Sequence, residues 1–180
     1  MAREVATGRA KVLVSACLDG SPLRYDGTGG DITGPIWARW AREGRLVAVC
    51  PEVAGGLPVP RPRAEITDGT AVAVLGGSGR VSDEHGADVT AAYLRGAEAA
   101  LAAAERAGAR VAVLVEASPS CGSTIVSDGT FTKTKVPGEG VTAALLRRHG
   151  IAVFSHQELA GADAHLRDLD HSPAEPRPET

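Results

Sequence analysis

The chain has 180 residues, 43% of them hydrophobic, and a formal net charge of −3, which is one domain's worth of residues and enough to bury a single sizeable core. That balance leaves no basic footprint for nucleic acid, whose binding domains cluster Lys and Arg on one face; the excess of Arg over Lys, 16 against 3, reads as coding bias. No stretch approaches the roughly 18 apolar residues of a membrane span, and residues 1–10 lack the apolar segment of a secretory signal, so a cytoplasmic protein is expected.

A first strand is expected at about 11–16, ending on Cys17. The loop that follows, through Leu18, Arg24, Tyr25, Asp26 and Asp31, is too rich in Gly, Asp and Pro for regular structure. A helix from about 34 to 42 takes Thr33 as its cap and Pro35 in its first turn, and Gly44 closes it. A second strand, 46–50, ends on Cys50. It runs into a Pro-rich stretch reaching Arg63 that reads as an extended, stiff loop. Residues 64–67 and 71–75, separated by Asp68 and Gly69, read as a small hairpin outside the main sheet.

A long helix is expected over 88–107, with a small-residue face formed by Val89, Ala92, Tyr93, Gly96, Ala97, Ala100 and Leu101. The third main strand, 111–116, leads into a loop containing Cys121 and then an apparent hairpin across Ser127, Asp128 and Gly129. A helix at 141–149, a strand at 151–154 and a short helix at 155–160 complete the pattern. Residues 1–10 and the charged, Pro-containing stretch 161–180 are expected to be flexible, leaving 11–160 as one domain. Strand–helix–strand alternation of this kind predicts an α/β fold: a mainly parallel, Rossmann-like sheet flanked by helices, with a small β-hairpin insertion.

The three cysteines, Cys17, Cys50 and Cys121, each stand at or just past the end of an apolar run. In an open parallel sheet the carboxyl ends of the strands face one crevice, where ligands bind. A free Cys is commonly a small buried hydrophobe. Core thiols, however, sit in strand or helix interiors, whereas all three of these lie at loop-adjacent strand ends, Cys50 beside Pro51 and Cys121 between Pro119 and Gly122. An odd count argues against a disulfide framework. A shared metal site with an open position is the reading that placement favours. Thiolates suit iron–sulfur or zinc and disfavour magnesium and calcium, and residue spacing leaves iron and zinc both open. No Cys-x-x-Cys pair is present, and the histidines add no ligand: His149 ends a helix, His85 and His156 fall in turns, and His165 and His171 in the tail.

Around the cysteines, Arg24, Tyr25 and Asp26 could line the crevice or form an ordinary turn. Glu52, two residues after Cys50, is placed for proton transfer, or else caps a helix or pairs with Arg61 or Arg63. Those two arginines could hold an anionic group. Ser118 and Ser120 bracket Pro119 and could hydrogen-bond a sulfur or a substrate, or only form a turn. Glu116 would point into the same rim. Trp37 and Trp40, three apart on one helix, read as core.

Six segments in order resemble a known family: Ser15-Ala-Cys-Leu-Asp-Gly with Arg24-Tyr-Asp-Gly, Cys50-Pro-Glu-Val-Ala-Gly-Gly-Leu-Pro-Val-Pro-Arg, Gly86-Ala-Asp-Val-Thr, Ser118-Pro-Ser-Cys-Gly, Asp128-Gly-Thr-Phe, and Gly138-Glu-Gly-Val-Thr-Ala. They span about residues 11–158 and are similar to the bacterial thiouracil desulfidase-like family, formerly a domain of unknown function. The resemblance implies a [4Fe-4S] cluster held by Cys17, Cys50 and Cys121, with one iron that has no protein ligand. It implies non-redox hydrolysis of the C=S bond of a thiolated pyrimidine, with release of hydrogen sulfide. Glu52 then fits the acid/base role and Ser118 or Ser120 a substrate-orienting one, while Arg24, Tyr25, Asp26, Arg61 and Arg63 stand as candidate substrate contacts. The expected partner is a small thiolated base, with no membrane and no stable nucleic-acid binding; a dimer is the expected assembly. The alternatives are a Cys₃ zinc-dependent hydrolase and a non-enzymatic sulfide-carrying iron–sulfur protein.

Overall fold

The computed structural model describes residues 9–171; the flexibility expected for residues 1–8 and 172–180 lies outside the described residues. Four short apolar strands, β1 (Lys11–Ser15), β2 (Leu46–Val49), β5 (Ala109–Leu114) and β8 (Ala152–Ser155), form one parallel sheet in the order β2-β1-β5-β8. Two small antiparallel pairs stand apart from it: β3 (Ala64–Asp68) with β4 (Arg80–Asp83), and β6 (Ile125–Ser127) with β7 (Lys135–Pro137). The helices are α1 (Pro35–Arg42), α2 (Pro51–Ala54), α3 (Ala71–Leu75), α4 (Thr90–Ala107), α5 (Val141–Arg148) and α6 (Leu159–His171).

Strand side chains alternate between the two faces of the sheet. Val12, Val14, Val111 and Val113 pack against Trp37 and Trp40 of α1 and Ala162 and Leu166 of α6. Leu13, Ala112 and Leu114 pack against Ala100 and Ala104 of α4 and Ala143 and Leu146 of α5. The sheet is thus covered on both sides, as an all-parallel sheet requires.

Several local expectations need correction. Residues 71–75 are helical, and β3 pairs with β4 instead. Of that run Ala71 and Val74 are buried while Val72 is 63% exposed, a helical spacing, and the Thr70 hydroxyl caps the turn by accepting the Ala73 N–H. The Pro-rich stretch opens with α2: Pro51 suits the first helical position and Gly55 ends it. Gly34, at a φ of 131°, takes the cap position of α1 expected for Thr33. The β6–β7 pair is joined by the longer loop 128–134. The largest difference is α6, where a short helix and a flexible tail were expected. Its charges are structural. Asp163 is 2% exposed, accepts Trp40 Nε1–H at 2.9 Å, and pairs with Arg39 and Arg167. Asp170 accepts from Arg45 at 2.6 Å and from the Ala10 N–H at 3.1 Å.

One close approach positions everything at the sheet rim. A methyl at Gly55 would lie 2.0 Å from the Ala92 carbonyl oxygen, and one at Gly96 would lie 2.1 Å from that of Pro51. The small-residue face of α4 therefore serves two neighbours, the sheet through Ala100 and Ala104 and α2 through Gly96.

Two outcomes follow for stability. Gly96→Ala would raise intrinsic helix propensity by about 1 kcal/mol at an open site; against the Pro51 carbonyl it is expected to destabilise by roughly 1–3 kcal/mol in urea unfolding, and a stabilised variant would contradict the crossing. For Asp163, burial pushes the carboxyl pKa up, but Arg39, Trp40 and Arg167 more than offset this and hold it below the usual range. A lowered folded-state pKa contributes stability that is present above the unfolded value near 4 and is lost as pH falls through the folded value. Asp163→Asn should therefore cost on the order of 2–4 kcal/mol at pH 7, with the deficit shrinking towards pH 3.

Candidate active site

β1, β2 and β5 are adjacent and parallel, and Ser15 of β1 is level with Val49 of β2. The residues that follow these strands therefore surround one space, a cavity of about 620 Å³. Cys17, Cys50 and Cys121 all line it, and all three thiols are free.

Each cysteine is held differently. Cys17 lies in a single 3₁₀ turn, Ala16–Leu18, and its carbonyl accepts the Gly30 N–H at 2.7 Å, drawing the following loop back over the rim. Cys50 links β2 to α2, and its thiol donates to the Leu23 carbonyl at 3.8 Å. Cys121 lies in a turn laid on the start of α5. The Val141 and Thr142 N–H groups donate to the Pro119 and Ser120 carbonyls, each at 2.9 Å, which satisfies donors that a helix start otherwise leaves unpaired. Burial pushes up the pKa of the Cys17 thiol, with Arg24 opposing it, and pushes that of the fully buried Cys121 thiol far higher. Thiols in so dry a wall ionise when a bound cation compensates the charge.

Glu52 enters from the first turn of α2. Its Oε2 accepts from Arg61 Nε at 2.6 Å, and its Oε1 accepts from the Ser118 hydroxyl at 3.3 Å. The Ser118 oxygen itself accepts the Ser120 and Cys121 N–H groups, each at 3.1 Å, so its one proton is directed at Glu52. Glu116 also lines the cavity, but its carboxylate is committed to the loop. It accepts the N–H groups of Ser123, Thr124 and Ile125 at 3.2, 3.2 and 3.1 Å and the hydroxyls of Ser123 and Thr124. Burial raises its pKa, and those bonds bring it below the usual range.

Arg24, Tyr25, Arg61 and Arg63 line the cavity. Two residues do not. Ser120 is 1% exposed and its hydroxyl bonds Thr142 Oγ1 at 2.8 Å, because the turn that presents Ser118, Pro119 and Cys121 to the cavity aims Ser120 at α5. Asp26 forms a plain turn with Thr28, through its N–H at 3.0 Å and its hydroxyl at 2.6 Å, and faces away.

Among the lining residues that the sequence did not single out for the site are Tyr93, His156, Lys133, Lys135 and the buried Glu65, whose Oε2 accepts the Gly129 and Phe131 N–H groups at 3.0 and 3.1 Å. Tyr93 is the one aromatic on the small-residue face of α4; burial and the Glu52 carboxylate beside it push its pKa well up and keep it protonated. His156 directly follows β8, the fourth strand to end at this rim, and its Nδ1 accepts the Glu116 N–H at 3.4 Å. Lys133 and Lys135, two of the chain's three lysines, come from the β6–β7 arm.

Among the described residues no three Cys, His, Asp or Glu donors converge on a single ion. The donor set itself, three free thiols on the wall of one cavity, suits a thiolate-ligated centre, either an iron–sulfur cluster or a Cys₃ zinc ion.

A protein of Bacillus subtilis (strain 168), YbbK, itself uncharacterised, is 42% identical over 148 residues, covering 82% of this chain and 97% of its own. The solved structure of a [4Fe-4S]-dependent thiouracil desulfidase, TudS (DUF523Vcz), is similar at a TM-score of 0.80 and 47% identity, covering 88% of this chain and 98% of its own. The sequence model of the 2-thiouracil desulfurase family matches residues 12–158, a span that takes in all three cysteines, Glu52 and Ser118, and the chain belongs to that family.

Proposed function

We propose that the protein is a [4Fe-4S]-dependent desulfidase that converts the C=S group of a thiouracil-like pyrimidine to C=O by hydrolysis: C=S plus water gives C=O plus hydrogen sulfide, with no net electron transfer. The observation that carries the reading is the three free thiols around one cavity, with Glu52 and Ser118 hydrogen-bonded to each other on the same wall.

Cys17, Cys50 and Cys121 would hold the cluster, leaving one iron without a protein ligand. When bound, the cluster supplies a sulfur-seeking Lewis acid. The protein's own groups do the rest. Glu52 Oε1 takes the proton from the attacking water and can return it to the departing sulfur. The Ser118 hydroxyl, held by two N–H groups, steers that oxygen and can pass a proton between Glu52 and the ring. Tyr25, which is 44% exposed, and Arg24 form the outer wall against which a flat ring can stack. Lys133 and Lys135 bring positive charge to the mouth, while Arg63 is paired with Glu84.

The test is anaerobic reconstitution followed by assay with 2- and 4-thiouracil. The expected products are uracil and sulfide in equal amounts with no added electron donor or acceptor; a requirement for either would overturn the hydrolytic reading. Glu52→Gln should lower kcat by about 10²–10⁴-fold while leaving the bound iron unchanged.

The two serines separate cleanly. Ser118→Ala should lower kcat by roughly tenfold or more. Ser120→Ala should leave kcat within about twofold and cost about 1 kcal/mol of stability, because Thr142 loses its partner.

A further inference from the structure

We propose that Arg61 is a positioning residue for this reaction and not a substrate contact: its guanidinium holds the Glu52 carboxylate by Oε2, so that Oε1 alone is free to exchange a proton in the cavity. The proposal rests on the reading of Glu52 as the acid/base group.

The commitment of Arg61's donors is the argument. Its Nε donates to Glu52 Oε2 at 2.6 Å, and the two side chains are only 5% and 12% exposed. Its Nη1 donates to the Pro58 carbonyl at 3.2 Å and its Nη2 to the Leu23 carbonyl at 3.1 Å. The backbone N–H donates to the Tyr25 carbonyl at 2.8 Å. Each of the three nitrogens thus has a protein acceptor, and the two N–H groups left over sit on a side chain only 5% exposed, a poor fork for an incoming carboxylate or phosphate. A planar guanidinium tied at three points has little freedom to rotate, and a charge-assisted bond in a partly dry wall passes that rigidity to the carboxylate.

The consequence for Glu52 follows from its two oxygens. Oε2 is taken by the cation. Oε1 faces Ser118, a cavity-lining residue whose proton has nowhere else to go. Removing Arg61 frees the carboxylate to rotate and lets either oxygen leave the reacting position. Displacements of about 1 Å at such a group cost roughly 10²-fold in rate. Arg61 also staples the Pro-rich loop to the loop after β1, so the test must separate positioning from stapling.

Four variants suffice: Arg61→Met, Arg61→Lys, Glu52→Gln, and the pair Glu52→Gln with Arg61→Met. Kinetics on reconstituted protein with thiouracil are read beside thermal unfolding of the metal-free chains. Arg61→Met should lower kcat by about 10–100-fold with KM held within roughly threefold. Arg61→Lys, which keeps the charge, should recover part of that loss. On the Glu52→Gln background Arg61→Met should cost no further kcat, because the group it positions is already gone. In the metal-free chain Arg61→Met should lower Tm, and adding Glu52→Gln should give part of it back, since no unpaired carboxylate remains. A raised KM with kcat intact would make Arg61 a substrate contact. Losses in kcat that multiply with those of Glu52→Gln, or no recovery by Lys, would make it a staple only. Full kcat in Glu52→Gln alone would instead show that the assignment of Glu52 is the part at fault.

Discussion

The parallel register of β2, β1 and β5 is the constraint on which the rest of this protein depends. Parallel neighbours stand about 4.8 Å apart and end on the same side of the sheet. Three contiguous strands therefore deliver the residues after Ser15, Val49 and Leu114 to one rim without any of the loops travelling far. Burial of both faces of the two central strands keeps that rim rigid, since Val14 and Val113 on one side and Leu13 and Leu114 on the other have no room to shift.

Onto this frame the chain adds short-range devices that aim individual side chains. The backbone contact of Gly55 and Gly96 presses α2 onto α4, and that contact fixes how far Glu52 stands from the sheet and brings it beside Tyr93. Glu116, through its bonds to three successive N–H groups, folds the loop that bears Ser118 and Cys121, and the start of α5 holds its other side. The acidic groups at the rim thus divide by their hydrogen bonds. Glu116 has its oxygens filled by loop donors, whereas Glu52 keeps one oxygen towards the cavity.

Much of this was legible in the amino-acid order. Short β-branched runs alternating with helices specify a parallel sheet, and cysteines beyond the strand ends specify the rim. What escaped reading involved partners distant in sequence. Asp163 and Asp170 look like tail charges until Trp40, Arg39 and Arg45 are brought against them. The run Ala71-Val-Ala-Val-Leu has strand-like composition, yet a helix buries its two inward residues. Ser118 and Ser120 are equivalent by composition, and only the hand of the turn separates the one facing Glu52 from the one facing Thr142. Arg61 could be read either as an anion-binding cation or as a partner of Glu52, and only the tracing of its donors to Glu52, Pro58 and Leu23 decides for the second.

The central claim is that Cys17, Cys50 and Cys121 together hold one four-iron cluster. The most direct measurement is iron and acid-labile sulfide per chain after anaerobic reconstitution, for the native protein and for each Cys→Ser variant. The account predicts about four irons and four sulfides per native chain, with loss of the full complement when any one of the three is replaced. A single tightly held zinc per chain with no iron uptake, or a complete cluster retained in one of the variants, would contradict it.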